Sequence, residues 1–433
     1  MPPSNPRQPR VVVIDGGRTP FLRSGTQFVD LMAYDLGRMA VAGLMHKTRL
    51  DPGAVDLLVM GSVIQEVKTS NLGRDVALGA GLELAVPAYT VTMACVSSLQ
   101  SFLSCVQAIQ TGQASVAIAA GAELLSDVPI RVSRPLRKRL IAAQKVKSPL
   151  GYFSLLGGLG LGDLAPERPA IAEFSTGEVM GQNCERLTKR LGITRQAQDQ
   201  YALMSHQRAS RATEQGLLAR QIDPAYVKPY KEPVAVDNGF HADTSLDKLA
   251  RLRPAFDKRL GTVTAGNSSF LTDGAGAVLL ASEEAAGRLG LEPLAYVNSV
   301  SVAALDPQEE LLLGPAVTMP RALADAGLEL AEVEVVELHE AFAGQVLGVL
   351  KLLDDEQWCR ERLGRDRPVG AVDLERLNAW GGSLSVGHPF GATGARLITT
   401  CCHRMAHEKA RYGLVAACAA GALGIGAVLE AVR

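Results

Sequence analysis

Short, almost entirely apolar runs alternate with helical patterns along this chain, and that alternation constrains the fold more than any other feature. The runs are VVVID at residues 11–15, VDLLVMGSV at residues 55–63 and ASVAIAAGA at residues 114–122. Strands that are apolar at nearly every position are typical of a sheet covered on both faces. Helical patterns at residues 31–47 and 97–110 lie between the runs, so the sequence predicts layered α/β structure.

The second half of the chain repeats the order of the first half. The strand pattern of residues 55–63 returns as VEVVEL at residues 333–338, and AAGA at residues 119–122 returns at residues 419–422. We infer a duplicated α/β core with a loop domain inserted into its first half. The predicted boundaries are residues 1–128 plus 261–289 for the first core half, 129–260 for the inserted loop domain and 290–433 for the second core half.

Two local predictions concern element ends. A turn is expected at Gly16–Gly17, directly after the first apolar run. Residues 178–212 are strongly helical in pattern, with Thr194 as an N-cap.

Composition excludes several classes of protein. The 433 residues carry 44 basic and 45 acidic side chains, which argues against nucleic-acid binding through bulk positive charge. Seven cysteines without a CxxC pair argue against a zinc ribbon and favour free thiols in a reducing compartment. The first ten residues lack the apolar segment of a signal peptide, so we expect a cytoplasmic protein. The charge-free stretch at residues 412–429 is expected to be a buried strand–turn–strand and not a membrane span.

A basic segment followed by an apolar one marks the middle of the chain. Residues 131–147 contain seven basic residues and no acid, and residues 150–162 are apolar and rich in glycine. Residues 131–162 therefore suggest docking on a membrane surface or a partner subunit, or the wall of an acyl-chain tunnel. The alternative is a solvated basic helix.

Cys95 and Cys418 are the candidate reactive thiols. Cys95 lies in TVTMACVSSLQS, where an apolar run gives way to a helical pattern. A thiol at a helix N-terminus is favoured as thiolate, so Cys95 is a candidate nucleophile. Cys418 ends an apolar strand before a glycine turn, where open α/β sheets place their sites. For both residues the alternative is a buried small hydrophobe.

The candidate histidines lie in two short motifs. His388 stands in the glycine-rich loop GGSLSVGHPFGATG, which lets backbone approach a ligand closely, and histidine is the usual base at neutral pH. His339 and Glu340 follow a strand and are candidate ligands, bases or oxyanion donors. His403 and His407 form an HxxxH pair without the glutamate of a zinc protease motif, so we predict no metal there. We expect them on a solvated helix face with Arg404 and Lys409.

Together these segments resemble the thiolase family over nearly the whole chain. Seven motifs occur in the family's order: GGRTPF (16–21), the Cys95 segment, AGAELLSDVPIR (120–131), GTVTAGNSS (261–269), HEAF (339–342), GHPFGATG (387–394) and the Cys418 loop. Most thiolases have NEAF where this chain has HEAF. In this respect the chain resembles the thiolase β-subunits of the fatty-acid oxidation trifunctional complex. The resemblance implies a five-layered αβαβα core and at least a homodimer or tetramer.

The resemblance also implies the reaction, in which 3-ketoacyl-CoA and CoA give acetyl-CoA and a shortened acyl-CoA. CoA is a cosubstrate, and no tightly bound cofactor or metal is expected. Cys95 is then the nucleophile and His388 its base, Cys418 is the second acid–base thiol, and His339 is a donor to the enolate oxygen. Ser269 contacts the pantetheine arm, and the backbone N–H of Ala420 joins that of Cys95 in an oxyanion hole.

One departure from the family pattern and several alternative functions remain open at this point. Close relatives have a glycine where this chain has Ala422, which adds a methyl group and, if φ is positive there, costs about 1 kcal/mol. The rival functions are a biosynthetic acetoacetyl-CoA thiolase (acetyl-CoA acetyltransferase), a ketoacyl synthase-like condensing enzyme and an inactive CoA-binding scaffold subunit. The expected partner is an enoyl-CoA hydratase/3-hydroxyacyl-CoA dehydrogenase subunit.

Overall fold

The computed structural model describes residues 9–148, 151, 159–167 and 172–432. The strands are β1 (Val11–Arg18), β2 (Leu22–Arg23), β3 (Leu57–Gly61), β4 (Ala88–Val91), β5 (Val116–Glu123), β6 (Thr272–Ser282), β7 (Ala295–Ala304), β8 (Val335–Leu338), β9 (Tyr412–Ala419) and β10 (Leu423–Ala431). The α-helices are α1 (Ala33–Thr48), α2 (Leu72–Gly79), α3 (Ser97–Gln110), α4 (Arg134–Ala143), α5 (Met180–Leu191), α6 (Arg195–Glu214), α7 (Leu246–Ala250), α8 (Glu283–Leu289), α9 (Gly314–Ala326), α10 (Ala343–Leu353), α11 (Glu356–Trp358) and α12 (Thr393–Glu408).

The strands pair in an order that repeats itself. Hydrogen bonds connect them as β4-β3-β5-β6-β1-β7-β10-β9-β8, with β2 on β6. The path β3-β5-β6-β1 of the first half recurs as β8-β9-β10-β7 in the second half, which confirms the duplicated core. Strands β1 and β7 share only the pairs Val12–Tyr296 and Val13–Ala295, so two half-sheets meet along a short seam.

Three buried apolar clusters separate five layers. The first lies between the outer helices α1 and α2 and one face of the first half-sheet. The second surrounds the central helices α3 and α12, which contact each other between the two half-sheets. The third fills the space between the second half-sheet and helices α9 and α10. The αβαβα arrangement is therefore confirmed, and the central layer joins the two halves.

The predicted turn at Gly16–Gly17 is wrong, because β1 continues through both glycines to Arg18. A Cβ at Gly16 would collide with the hydroxyl of Thr399 on α12. The glycine is therefore needed for close packing of the central helix on β1, and a close approach gives the same local sequence signal as a turn.

The charge-free stretch at the C-terminus forms the antiparallel pair β9 and β10, as predicted. Of the helices within the described ranges, none has the length and apolar character required to cross a bilayer.

Helices α4 to α7 come from the predicted loop domain, whose boundaries stay a prediction. The helical pattern at residues 178–212 forms two helices, because Gly192 is left-handed (φ 64°) and ends α5. The Thr194 hydroxyl then caps α6 by accepting a hydrogen bond from Ala197 N at 3.1 Å, as predicted. Most of the apolar segment predicted at residues 150–162 lies outside the described residues, which include 151 and 159–162 there.

Candidate active site

Cys95 lies on a tight turn between β4 and α3. Ala94 has a left-handed φ of 46°, which is uncommon for a residue with a side chain. Ser97 pins the turn, because its Oγ accepts from Met93 N (2.9 Å) and donates to Ala94 O (2.7 Å). The turn places the buried thiol two residues before Ser97, the first residue of α3, close to the helix N-terminus as the sequence predicts.

The environment of Cys95 favours the thiol and not the thiolate. Burial raises its pKa to about 12, and the carboxylates of Glu123 and Glu173 add to the rise. Backbone N–H groups of Ala420 and of Cys95 itself lower the pKa by less. The expectation that the helix terminus alone favours a thiolate is therefore wrong, because desolvation of a buried charge outweighs a helix dipole. A base is needed to ionise Cys95.

Cys418 is the penultimate residue of β9 and is also buried. Burial raises its pKa above the ordinary range, and electrostatic repulsion from Cys95 contributes, so the two thiols are neighbours. Strands β8 and β9 run parallel and end at the same edge. Just past β8, His339 N donates to Ala416 O at 2.8 Å, which brings His339 close to Cys418.

The His388 loop packs directly on the start of α3. His388 N donates to Thr272 Oγ1 at 3.0 Å. A Cβ at Gly391 would meet backbone of β3 and β5, and a Cβ at Gly394 would lie 2.6 Å from Leu99 N on α3. These two glycines let the loop and the start of α12 approach α3, the helix that follows Cys95.

The two histidine rings lie side by side, with centroids 4.1 Å apart. Each Nδ1 has a hydroxyl partner: Thr393 Oγ1 at 2.6 Å for His388 and Ser383 Oγ at 2.8 Å for His339. Both Nε2 atoms are buried and have no hydrogen-bond partner among the described residues. Burial lowers the pKa of His388 to about 3 and that of His339 well below its usual value, and the Arg396 cation contributes to both. Both rings are therefore neutral at neutral pH.

Hydrogen bonding at His388 is consistent with a base. The Thr393 hydroxyl lies within reach of both His388 Nδ1 and Pro389 O, the latter at 3.0 Å. A carbonyl oxygen only accepts, so both contacts are made when Thr393 donates to Pro389 O and His388 Nδ1–H donates to Thr393. That arrangement puts a lone pair on His388 Nε2, which has no hydrogen-bond partner among the described residues.

The two predicted binding groups lie at the edge of this constellation. Ser269 N donates to Ala341 O at 3.0 Å, so Ser269 is half-buried beside the HEAF segment. The N–H of Ala420 reaches the Cys95 sulfur from the turn between β9 and β10. Five of the six sequence-predicted residues thus lie in loops that meet here, and Cys418 lies near the end of β9 beside them.

Sequence reasoning missed the function of Glu340, which it left as a ligand, base or oxyanion donor. The buried carboxylate accepts from Tyr201 OH (2.9 Å), Ser205 Oγ (2.9 Å), Asn378 Nδ2 (2.7 Å) and Leu384 N (3.1 Å). Its oxygens are occupied, so it joins α6 to the two histidine loops and does not face the cavity chemistry.

The predicted solvated helix face is correct for His407 and Lys409, which are exposed, and wrong for Arg404. Arg404 is fully buried and donates to Glu337 Oε1 at 2.8 Å, and His403 Nε2 lies 2.7 Å from Asp15 Oδ1. Arg396, also buried, stands eight residues before Arg404 on the same face of α12. That spacing was the available signal for a buried cation pair.

Comparisons with known proteins agree with this geometry. The family model "Thiolase, N-terminal domain" matches residues 11–284, and "Thiolase, C-terminal domain" matches residues 291–431. The trifunctional enzyme subunit beta of Bos taurus mitochondria is 47% identical over 428 residues, which cover 99% of this chain and 90% of that protein. A 3-ketoacyl-CoA thiolase of Serratia proteamaculans is 42% identical over 97% of both chains. The crystal structure of human mitochondrial 3-ketoacyl-CoA thiolase in complex with CoA superposes with a TM-score of 0.85, at 30% identity over 98% of both chains.

Proposed function

The chain belongs to the thiolase family, and from that premise we propose that it is a 3-ketoacyl-CoA thiolase of fatty-acid β-oxidation, an acyltransferase that uses CoA as cosubstrate. The observation that carries the proposal is the buried cluster formed by two neighbouring thiols, Cys95 and Cys418, and two neutral histidines whose Nε2 atoms have no partner among the described residues. One thiol suffices for an acyl-enzyme. The second suits a reaction that must also move a proton to and from a carbanion.

The first half-reaction forms the acyl-enzyme. His388 Nε2 takes the proton of Cys95 as the sulfur bonds to the 3-keto carbon of the substrate. The N–H groups of Cys95 and Ala420 donate to the oxyanion that forms there. The bond between C2 and C3 then breaks, and its electron pair becomes the enolate of acetyl-CoA. Cys418 gives its proton to C2, which leaves acyl-Cys95, a Cys418 thiolate and a protonated His388.

The second half-reaction transfers the acyl group to CoA. The Cys418 thiolate takes the proton of the CoA thiol, and the CoA sulfur attacks the Cys95 thioester. The Cys95 sulfur leaves and recovers its proton from His388, so every group returns to its starting state. The raised pKa of Cys418 supports this role, because the resting thiol keeps its proton for C2 and the thiolate, once formed, is a strong base.

The binding groups and partners extend the proposal. Ser269 contacts the pantetheine arm of the CoA substrates at the edge of the HEAF segment. The chain acts as a homodimer or tetramer and associates with a hydratase/dehydrogenase subunit, in the cytoplasm of a bacterium or the mitochondrion of a eukaryote. Light scattering of the purified chain should give at least twice its 45.8 kDa mass, and a monomer would contradict the oligomer.

The test is CoA-dependent cleavage of 3-ketoacyl-CoA substrates of four and sixteen carbons. We expect cleavage of the long substrate, its loss in Cys95→Ala and its retention in the control Cys105→Ala, which removes a buried thiol of α3 outside the cavity. Cleavage of the four-carbon substrate alone would instead indicate acetoacetyl-CoA metabolism. A folded protein that cleaves neither substrate would overturn the proposal and favour an inactive CoA-binding scaffold subunit.

A further inference from the structure

Ser383 lies between His339 and the buried cation of Arg396. Its Oγ is 2.8 Å from His339 Nδ1 on one side and 2.8 Å from Arg396 Nη2 on the other. Arg396 is 2% exposed, and Ser383 and His339 are fully buried. The three side chains form a line from α12 through the loop of residues 381–385 to the cavity.

Counting hydrogens along this line fixes the form of His339. A guanidinium only donates, so Arg396 occupies a lone pair of Ser383 Oγ. Among the described residues the hydroxyl hydrogen of Ser383 has no acceptor other than His339 Nδ1, so the serine satisfies its hydrogen by donating to this nitrogen. A neutral imidazole that accepts at Nδ1 carries its hydrogen on Nε2, and this Nε2–H lies in the cavity without a partner among the described residues.

The neighbouring ring has the opposite form. His388 Nδ1 donates to Thr393, so His388 Nε2 holds a lone pair. The two rings, whose centroids are 4.1 Å apart, thus present one base and one donor at their unpartnered Nε2 atoms. Two identical tautomers would supply either two bases or two donors, and neither pair serves a step that needs one of each.

Arg396 is itself held in place. Its Nη1 lies 3.6 Å from Glu337 Oε2 on β8, and Glu337 also accepts from Arg404 Nη1 at 2.8 Å. Because the charge is buried near both rings, it also disfavours the protonated form of each histidine. The other ionisable groups close to His339 are His388, the buried thiol of Cys418 and the fully hydrogen-bonded Glu340.

We propose that Ser383, held by Arg396, is a positioning residue that fixes His339 as the Nε2–H tautomer, so that His339 donates to the enolate oxygen of the departing acetyl-CoA. The inference rests on the proposed thiolase function. It assigns no chemistry to Ser383 itself, because this serine acts only through His339.

The test is a double-mutant cycle on thiolysis. We expect His339→Ala to lower kcat about 100-fold, the cost of an oxyanion donor. Ser383→Ala should lower kcat about 10-fold or more with KM little changed, since the lost interaction is made in the transition state. In the His339→Ala background, Ser383→Ala should have almost no further effect on kcat, because the residue through which it acts is gone.

The control is Ser385→Ala in the same loop. Ser385 is equally buried, but its hydroxyl contacts Ser205 Oγ and Gly382 O instead of a cavity histidine. Its effect on kcat should be the same in both backgrounds. The inference is overturned if Ser383→Ala leaves kcat unchanged, or lowers it by the same factor with and without His339. A wild-type protein without thiolysis would overturn the proposed function first, which separates the two failures.

Discussion

At the scale of residues, burial sets the resting protonation of the cavity. The pKa of Cys95 is about 12 and that of His388 about 3, both mainly because charge is disfavoured in this site. A resting thiolate–imidazolium pair is therefore strongly disfavoured. The proton must leave Cys95 as the sulfur–carbon bond forms, and the oxyanion donors stabilise the charge that develops.

The low pKa of His388 predicts a loss of stability in acid. The unfolded chain binds a proton at His388 below about pH 6.5, whereas the folded chain does so only near pH 3. Stability from this group is therefore complete above pH 6.5 and falls as the pH drops towards 3. The difference amounts to about 2 kcal/mol between pH 6.5 and 5.

Urea unfolding of wild type and His388→Asn at pH 7 and pH 5 measures this contribution. The wild type should lose more stability than the variant over this interval, because asparagine does not titrate. An equal loss in both proteins would mean that the pKa of His388 is not depressed in the folded state.

Ala422 has the positive φ on which its predicted cost depends. Its φ is 56°, which costs about 1 kcal/mol for a residue with a Cβ. The side chain is fully buried in the cluster beneath α9 and α10, and burial of one methyl group contributes about 0.8 kcal/mol. The two effects nearly balance, so the alanine gives no physical reason to expect an inactive site.

At the scale of elements, local sequence signals predict single helices and strands better than they predict how those elements contact one another. The pattern at residues 97–110 matches α3, and Thr194 caps α6, because both depend on neighbours in sequence. Glu340 needs donors from residues 201, 205, 378 and 384, which lie up to 139 positions away. No local sequence pattern distinguishes such a carboxylate from a catalytic one, so the role of Glu340 could be recognised only from the three-dimensional structure.

Glu340→Gln tests whether this carboxylate joins α6 to the histidine loops. The amide replaces one acceptor oxygen with a donor that faces other donors, so we expect a loss of about 1–3 kcal/mol in the free energy of unfolding. The kcat of thiolysis should fall as well, because either Leu384 N or Asn378 Nδ2 loses its acceptor oxygen, depending on which oxygen the amide nitrogen replaces. Chemical denaturation and steady-state kinetics measure the two effects.

The matched control is Glu375→Gln. Glu375 is an exposed carboxylate that pairs with Arg208 at 3.2 Å, and pairs of this kind contribute little to stability. If both variants unfold at the same denaturant concentration as wild type, Glu340 does not hold the loops together.

At the scale of the whole molecule, the duplication explains where the site lies. Each half contributes one central helix, and the two helices, α3 and α12, begin next to Cys95 and His388 and pack on each other. Strands β8 and β9 add His339 and Cys418 at their shared edge. The sequence predicted the repeat, but the glycine contacts that bring the halves together depend on packing across them.

The described part of residues 129–178 has an unusual surface. Helix α4 buries none of its side chains and carries Arg134, Arg137 and Lys138. Large apolar side chains are exposed on it and on the segments beside it: Ile130, Val132, Leu140, Ile141, Leu161, Leu164 and Phe174. Basic and apolar side chains together are typical of surfaces that dock on anionic lipid.

We therefore expect the chain to bind vesicles that contain anionic lipid, and more weakly at high salt. Leu140→Glu combined with Ile141→Glu should reduce binding at least 10-fold, since each buried side chain contributes about 1.5–3 kcal/mol and the new carboxylates are repelled. Leu84→Glu, at an exposed leucine of the first core half, should bind as wild type does. Vesicle sedimentation compares the wild type and the two variants. Equal binding by all three proteins would mean that this surface does not bind lipid and would favour a protein partner there. Circular dichroism of all three proteins checks that the substitutions leave the fold intact.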